Sequence, residues 1–207
     1  MAAGEEAARR DHRSTRDVLA TLRAGTATEH ADLERSLDLL DPALSRSRVT
    51  EVLTRMHGFW LAAEAGLDDW ADRHPADAAD VLWTRRRRAG LFAADLVALG
   101  TDDAGATLCL APLGGTDEAL GRMYVLEGST LGGTVIDRHL AGLPQFAGVR
   151  LRSFSPYGDE TGAMWHRFRR SVRDRVAAGG DAEVMVGAAR DTFGALAGWC
   201  RSAVVPA

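Results

Sequence analysis

Apolar residues recur along this chain at spacings of three and four and nowhere alternate over a useful length, so the pattern predicts helices and no sheet. From Val18 the positions Val18, Leu19, Leu22, Thr26, His30 and Leu33 keep helical register to about Leu40, where Asp41-Pro42 is a stop signal. A second helix follows, with Ser47 as its N-cap and Val49, Val52, Leu53, Met56, Phe59, Trp60 and Ala63 on its inner face. It ends at Glu64 or slightly beyond. Trp70 to His74 reads as a short helix closed by Pro75. A segment from about Asp77 then carries Val81, Leu82, Leu91, Leu96 and Leu99 across a run of four arginines at 85–88. Residues 102–115 read as loop, and Thr116 caps a long helix reaching about Leu140. A connector with Pro144 and Pro156 leads to two last helices, about 163–178 and 181–200, parted by Gly179-Gly180. The expectation is all-α: a single-domain bundle of about seven or eight helices over 17–202, with a flexible tail at 1–16 and a short one at 203–207.

The long helix has a peculiarity. Its middle reads YVLEGSTLGGTV, from Tyr124 to Val135, and holds Gly128, Gly132 and Gly133. Each glycine there costs roughly 0.5–1 kcal/mol relative to alanine. Two physical reasons can offset that cost: close approach of another helix, or a flat, bulky ligand lying on the backbone. Gly128 and Gly132 are four apart and share a face, while Ser129 and Gly133 form the adjacent stripe. A backbone bared in this way also exposes groups that order water, which suits oxygen chemistry on a planar macrocycle.

Composition narrows the field. The formal net charge is −4 and all 25 basic residues are arginine, so there is no bulk electrostatic case for nucleic acid. No stretch reaches the ~18 apolar residues of a membrane span. The opening MAAGEEAARRDHRSTRD has no apolar run, which predicts no secretory leader. Cys109 and Cys200, far apart and flanked by apolar residues, are expected to be reduced and buried, pointing to the cytoplasm. Arg85–Arg88 is read as a solvated face, or else as a docking patch for an acidic electron donor. His57, His74, His139 and His166 show no ligand spacing. Glu64 and Asp68 lack the ExxH repeats of a di-iron bundle. There is no P-loop, dinucleotide-binding turn or nucleophile elbow.

His30, in LRAGTATEHADLE, lies on the apolar stripe of the first helix. Such a histidine is either a satisfied core or surface residue or a ligand. Arg23 stands seven residues earlier, ~10.5 Å along the axis and almost on the same face. An imidazole can bind iron, and a guanidinium one macrocycle radius away can pair with a carboxylate. Glu29 or a water is the expected partner of the other ring nitrogen.

Together, LRAGTATEHADLE and LGRMYVLEGSTLGGTVIDRHL resemble the bacterial haem oxygenases, especially the biliverdin-producing type encoded beside bacteriophytochromes. The resemblance runs from about Val18 to Cys200, and YVLEGSTLGG is its most specific part. It implies an all-α fold that sandwiches haem b between a proximal helix and a kinked, glycine-rich distal helix. His30 would be the axial iron ligand. Gly128, Ser129, Gly132 and Gly133 match the distal helix, with Ser129, Gly128 and Gly132 nearest the chemistry. Arg23 and Tyr124 match positions that hold haem propionates, and RFRRSVRDR resembles a propionate helix in which Phe168 packs on the haem edge and Arg169 and Arg173 point at the carboxylates. Animal members carry an aspartate after the first distal glycine; this chain has Ser129, as bacterial members do.

The activity so implied uses haem as substrate and cofactor, cleaving it with O2 and reducing equivalents to biliverdin, CO and ferrous iron. The alpha isomer is expected. The electron donor would be a ferredoxin with its reductase, and a bacteriophytochrome would receive the product. The alternative is a haem-binding or haem-buffering protein of the same fold without turnover.

Overall fold

Amphipathic helices stabilise one another by burying their apolar stripes, and the computed structural model shows how these do so. It describes residues 18–101 and 105–201; the expected tails at 1–16 and 203–207 lie outside the described residues. No strand occurs among the described residues. Eight α-helices do: α1 (helical over 18–25), α2 (Ala27–Leu37), α3 (Arg46–Arg73), α4 (Pro75–Asp80), α5 (Ala89–Ala98), α6 (Thr116–Gly142), α7 (Thr161–Ala177) and α8 (Ala182–Arg201).

The first predicted helix is broken at Thr26, whose hydroxyl donates to the Leu22 carbonyl at 2.8 Å. It ends at Leu37 because Asp38 turns left-handed, with φ 47°. The cap of α3 is Ser45 rather than Ser47: the Ser45 Oγ accepts from the Arg48 N–H at 3.1 Å. That helix also runs unbroken to Arg73, so Trp70 is not on a separate helix. Its buried inner face, including Val49, Val52, Leu53, Met56, Phe59, Trp60 and Ala63, holds one register throughout. Pro75 opens α4 at the first turn, where a missing N–H costs nothing. Thr116 is the first residue of α6 and does not cap it; its hydroxyl accepts from the Trp70 Nε1 at 3.3 Å and donates to Asp77.

The core sits where α6 and α8 pack, with α3 against α5 and α2 against α8 around them. Gly121 makes the α6–α8 approach possible, since a Cβ there would run into the Met185 carbonyl. α7 runs back along α6: Tyr157, just before α7, meets Glu127 in the middle of α6, and Arg175 meets Asp117 at its start. α6 is continuous through Gly128, Gly132 and Gly133. No helix among the described residues is long and apolar enough to cross a membrane. The cysteines are both free, but not both buried: Cys109 is exposed and Cys200 half-buried.

Candidate functional site

The three glycines in the middle of α6, Gly128, Gly132 and Gly133, do two different jobs. A Cβ built on Gly128 or Gly132 would meet no atom within 4 Å, whereas one on Gly133 would run into the Phe154 carbonyl of the connector. Gly133 therefore serves close packing, and Gly128 and Gly132 face open space. Leu131 and Val135 continue that open stripe at helical spacing. They are 42% and 50% exposed, unusual for large aliphatic side chains in the middle of a long helix.

α2 packs on α8, as α6 does, and polar contacts join the chain on either side of α2 to α6 and the turn after it. At one end the Tyr124 phenol lies beside Thr26, close enough for its hydroxyl to favour the ionised phenol. At the other the His139 Nε2 stands 3.1 Å from the Asp41 carbonyl, and Gln145 donates to Leu44 O at 2.6 Å. Between Tyr124 and His139 the helix runs fifteen residues, about 22 Å. His30 is four residues beyond Thr26 and Gly128 four beyond Tyr124, about one helical turn in each case.

His30 is half-exposed, with 51% of its side chain open. Its Nδ1 lies 3.4 Å from the Glu34 carboxylate, one turn on, and its ring meets the edge of Phe193 with centroids 5.7 Å apart. That leaves Nε2 free to reach another group. Glu29, one of the two partners expected for the ring, does not hold it; it pairs with Arg190 of α8 at 2.9 Å. The backbone and Arg190 bonds hold its carboxyl below the usual range.

Positive charge gathers at the Tyr124 end. Arg23 is exposed and close enough to Tyr124 to favour its ionised form, although burial outweighs this and pushes the phenol up. Trp165 of α7 packs on Tyr124, centroids 6.0 Å apart. Arg169 and Arg173 continue the Trp165 stripe towards the C-terminus of α7, both half-buried. The Arg173 Nε is enclosed without a hydrogen-bond partner. Phe168 is elsewhere: its ring is wholly covered by protein, stacked on Trp165 at 5.6 Å with the Arg86 guanidinium 5.7 Å above it.

Behind the glycine face lies a buried charged cluster that the periodicity did not reveal. The run at 85–88 is not a solvated face. Arg85 and Arg87 point outward to Glu160 and Asp68, while Arg86 and Arg88 are each 2% exposed. Residues 83–85 form a single 3-10 turn ending at Arg86, so side chains alternate in and out rather than following α-helical spacing. Arg86 pairs with the buried Glu127, which also accepts from Tyr157 at 2.8 Å. Burial pushes the Glu127 carboxyl up, against the pull of Arg86. Glu64 accepts the N–H groups of Arg88 and Ala89 at 2.6 and 2.7 Å, satisfying the start of α5. From α5, the Asp95 carboxylate accepts the N–H groups of Arg152 and Ser153, at 2.8 and 2.7 Å, and so pins the connector against Gly133. Ser129 faces this cluster: its Oγ is 2.8 Å from the Arg88 Nη1 and 2.7 Å from the Leu126 carbonyl. The signal available for Glu127 was its charge in the otherwise uncharged stretch 123–136.

No group of three or more histidine, cysteine or carboxylate side chains among the described residues could hold a metal ion by itself. No family model matches this sequence, and no curated protein does either. Among solved structures the chain is similar to the NO- and CO-bound haem oxygenase from Neisseria meningitidis, with a TM-score of 0.69 over 89% of this chain and 90% of that one. Identity between the two is 18%, a level at which the likeness is one of architecture. The all-α arrangement is the haem oxygenase fold.

Proposed function

We infer that this chain is a haem oxygenase, cleaving haem with O2 and reducing equivalents to biliverdin, CO and ferrous iron. What supports this reading is a half-exposed imidazole on α2 together with a bare, apolar stripe on α6, in a chain with the haem oxygenase fold. The residues present fit a flat iron macrocycle. The positions of Gly128 and Gly132 leave room that a Cβ would fill, and the exposed Leu131 and Val135 offer apolar surface to cover. A neutral imidazole suits iron, and the unpartnered Arg173 Nε sits on the side where carboxylates would be held.

Haem b bound here supplies both the oxygen-activating iron and the ring that is oxidised. His30 would hold the iron, with Glu34 orienting its imidazole through Nδ1. Gly128 and Gly132 would let the ring approach the α6 backbone, and Leu131 and Val135 would offer it apolar surface. Gly133 acts from behind, by seating the connector. Arg23, Tyr124, Arg169 and Arg173 clamp the propionates and thereby fix which edge of the ring faces the distal helix. The alpha isomer is the proposed product. Phe168 supports this clamp indirectly, through Trp165. Electrons come from a ferredoxin and its reductase in the cytoplasm, and a bacteriophytochrome receives the product, in keeping with the sequence resemblance at YVLEGSTLGG.

The test is reconstitution with hemin. The expected results are a Soret band that is lost in His30→Ala, and conversion with ascorbate or reduced ferredoxin to a green pigment absorbing in the red. A Soret band without turnover identifies a haem carrier instead. A spectrum of free hemin alone overturns the reading.

A further inference from the structure

Arg86 has no freedom left. It is 2% exposed, and each nitrogen of its guanidinium has a partner: Nε donates to the Val81 carbonyl, Nη1 pairs with Glu127, and Nη2 donates to the Met164 carbonyl at 3.3 Å. Glu127 is fixed in turn, since its other oxygen accepts from Tyr157 at 2.8 Å. Three bonds in one plane set how the guanidinium lies. What remains is its flat face, and Phe168 takes it, with the ring centroid 5.7 Å away. An apolar pair would fill the space of Arg86 and Glu127 without desolvating two charges, but would not offer Phe168 a flat cation at a set angle.

Phe168 passes this placement on. Its side chain is wholly covered and stacks on Trp165 at 5.6 Å, with 25° between the planes. Trp165 then leans on Tyr124, 6.0 Å away at 47°. Tyr124 and Glu127 are three residues apart on α6, so the contacts close on themselves: Glu127, Arg86, Phe168, Trp165, Tyr124, and back to Glu127 through one turn of helix. Thr26 and the Arg23 guanidinium are the other groups that act on the Tyr124 phenol.

On the haem-cleaving reading above, Tyr124 holds a propionate, so the place of its phenol matters to the bound ring. We propose that Arg86 is a positioning residue for Tyr124: held by Glu127, it fixes Phe168, and through Phe168 and Trp165 it sets where the phenol stands. The buried charges behind α6 thereby act on ligand binding without touching the ligand.

The chain has two tyrosines, so 3-fluorotyrosine gives two 19F resonances, and Tyr157→Phe identifies the one from Tyr124. The currents of the Trp165 ring displace that resonance from its position in the unfolded chain. Arg86→Lys, which keeps the charge but not the flat face, and Phe168→Leu should each move it towards the unfolded position in the folded apoprotein. Each should also speed hemin release to apomyoglobin by about 3- to 10-fold, the change expected when one hydrogen bond is lost. On a Tyr124→Phe background the same substitutions should alter release by less than about 2-fold. A merely structural role would lower stability, yet leave the Tyr124 resonance in place and the effect on release undiminished by Tyr124→Phe; either result overturns the proposal. If Arg86→Lys does not fold, Phe168→Leu decides it, because the path runs through that ring. A wild-type chain with no Soret band sinks the haem reading, and the Tyr124 resonance still decides whether Arg86 places the phenol.

Discussion

Alanine at Gly132 and at Gly133 should have opposite effects on stability, although the two positions are neighbours. In a helix interior, replacing glycine by alanine stabilises by about 0.5–1 kcal/mol through lost backbone freedom in the unfolded chain. At Gly132 the new methyl meets no atom within 4 Å, so the full gain is expected. For a chain of this size that is a rise of about 2–4 °C in Tm per kcal/mol. At Gly133 the methyl runs into the Phe154 carbonyl, on a connector that Asp95 and Arg88 hold in place. Overpacking against a backbone that cannot yield costs about 1–3 kcal/mol, which exceeds the helix gain. Urea unfolding of the two apoproteins, followed by helical circular dichroism, reads both signs directly. Hemin titration adds the second half: Gly132→Ala should bind more weakly, because its methyl stands where the ring would lie. A glycine kept at a cost in stability is then one kept for binding. The reasoning is refuted if Gly133→Ala is the stabilising variant, or if Gly132→Ala gains stability and binds hemin as tightly as wild type.

Glu127→Gln leaves Arg86 buried without its counter-ion and should lower the urea-unfolding free energy by about 3–5 kcal/mol; a loss under ~1 kcal/mol would show that the pair is dispensable. Burial pushes the Asp117 carboxyl up, but the bonds from Arg175 and the Asp181 N–H outweigh it, so its folded pKa is lowered. The stability it contributes is present above the ordinary aspartate value of ~3.9 and is lost as pH falls through the lower folded value. Asp117→Asn should therefore show a shallower acid loss below about pH 4 than wild type, measured by melting temperature against pH. Burial pushes the Cys200 thiol up to about 11 while Cys109 is exposed, so iodoacetamide at pH 8 should label Cys109 first by peptide mass; faster labelling of Cys200 would contradict the packing of α8.

Spacing along the chain was enough to predict an all-α protein, the inner face of α3, and a helix bared on one side at Gly128 and Gly132. These are local properties: a period of 3.6 and a missing Cβ act within a few residues. The stops were less legible, because a cap depends on the angle at which the chain enters a helix, as at Ser45, and not only on residue type. The tertiary structure alone decided what each polar residue near the site does. Two of four identical arginines turn inward because Glu127, Leu126 O and Ser153 O wait for them 38 to 65 residues away. Gly133 differs from Gly132 only because the connector crosses one of them. Burial of a charge, and the use made of a glycine, depend on partners brought from distant parts of the chain, which no periodicity records.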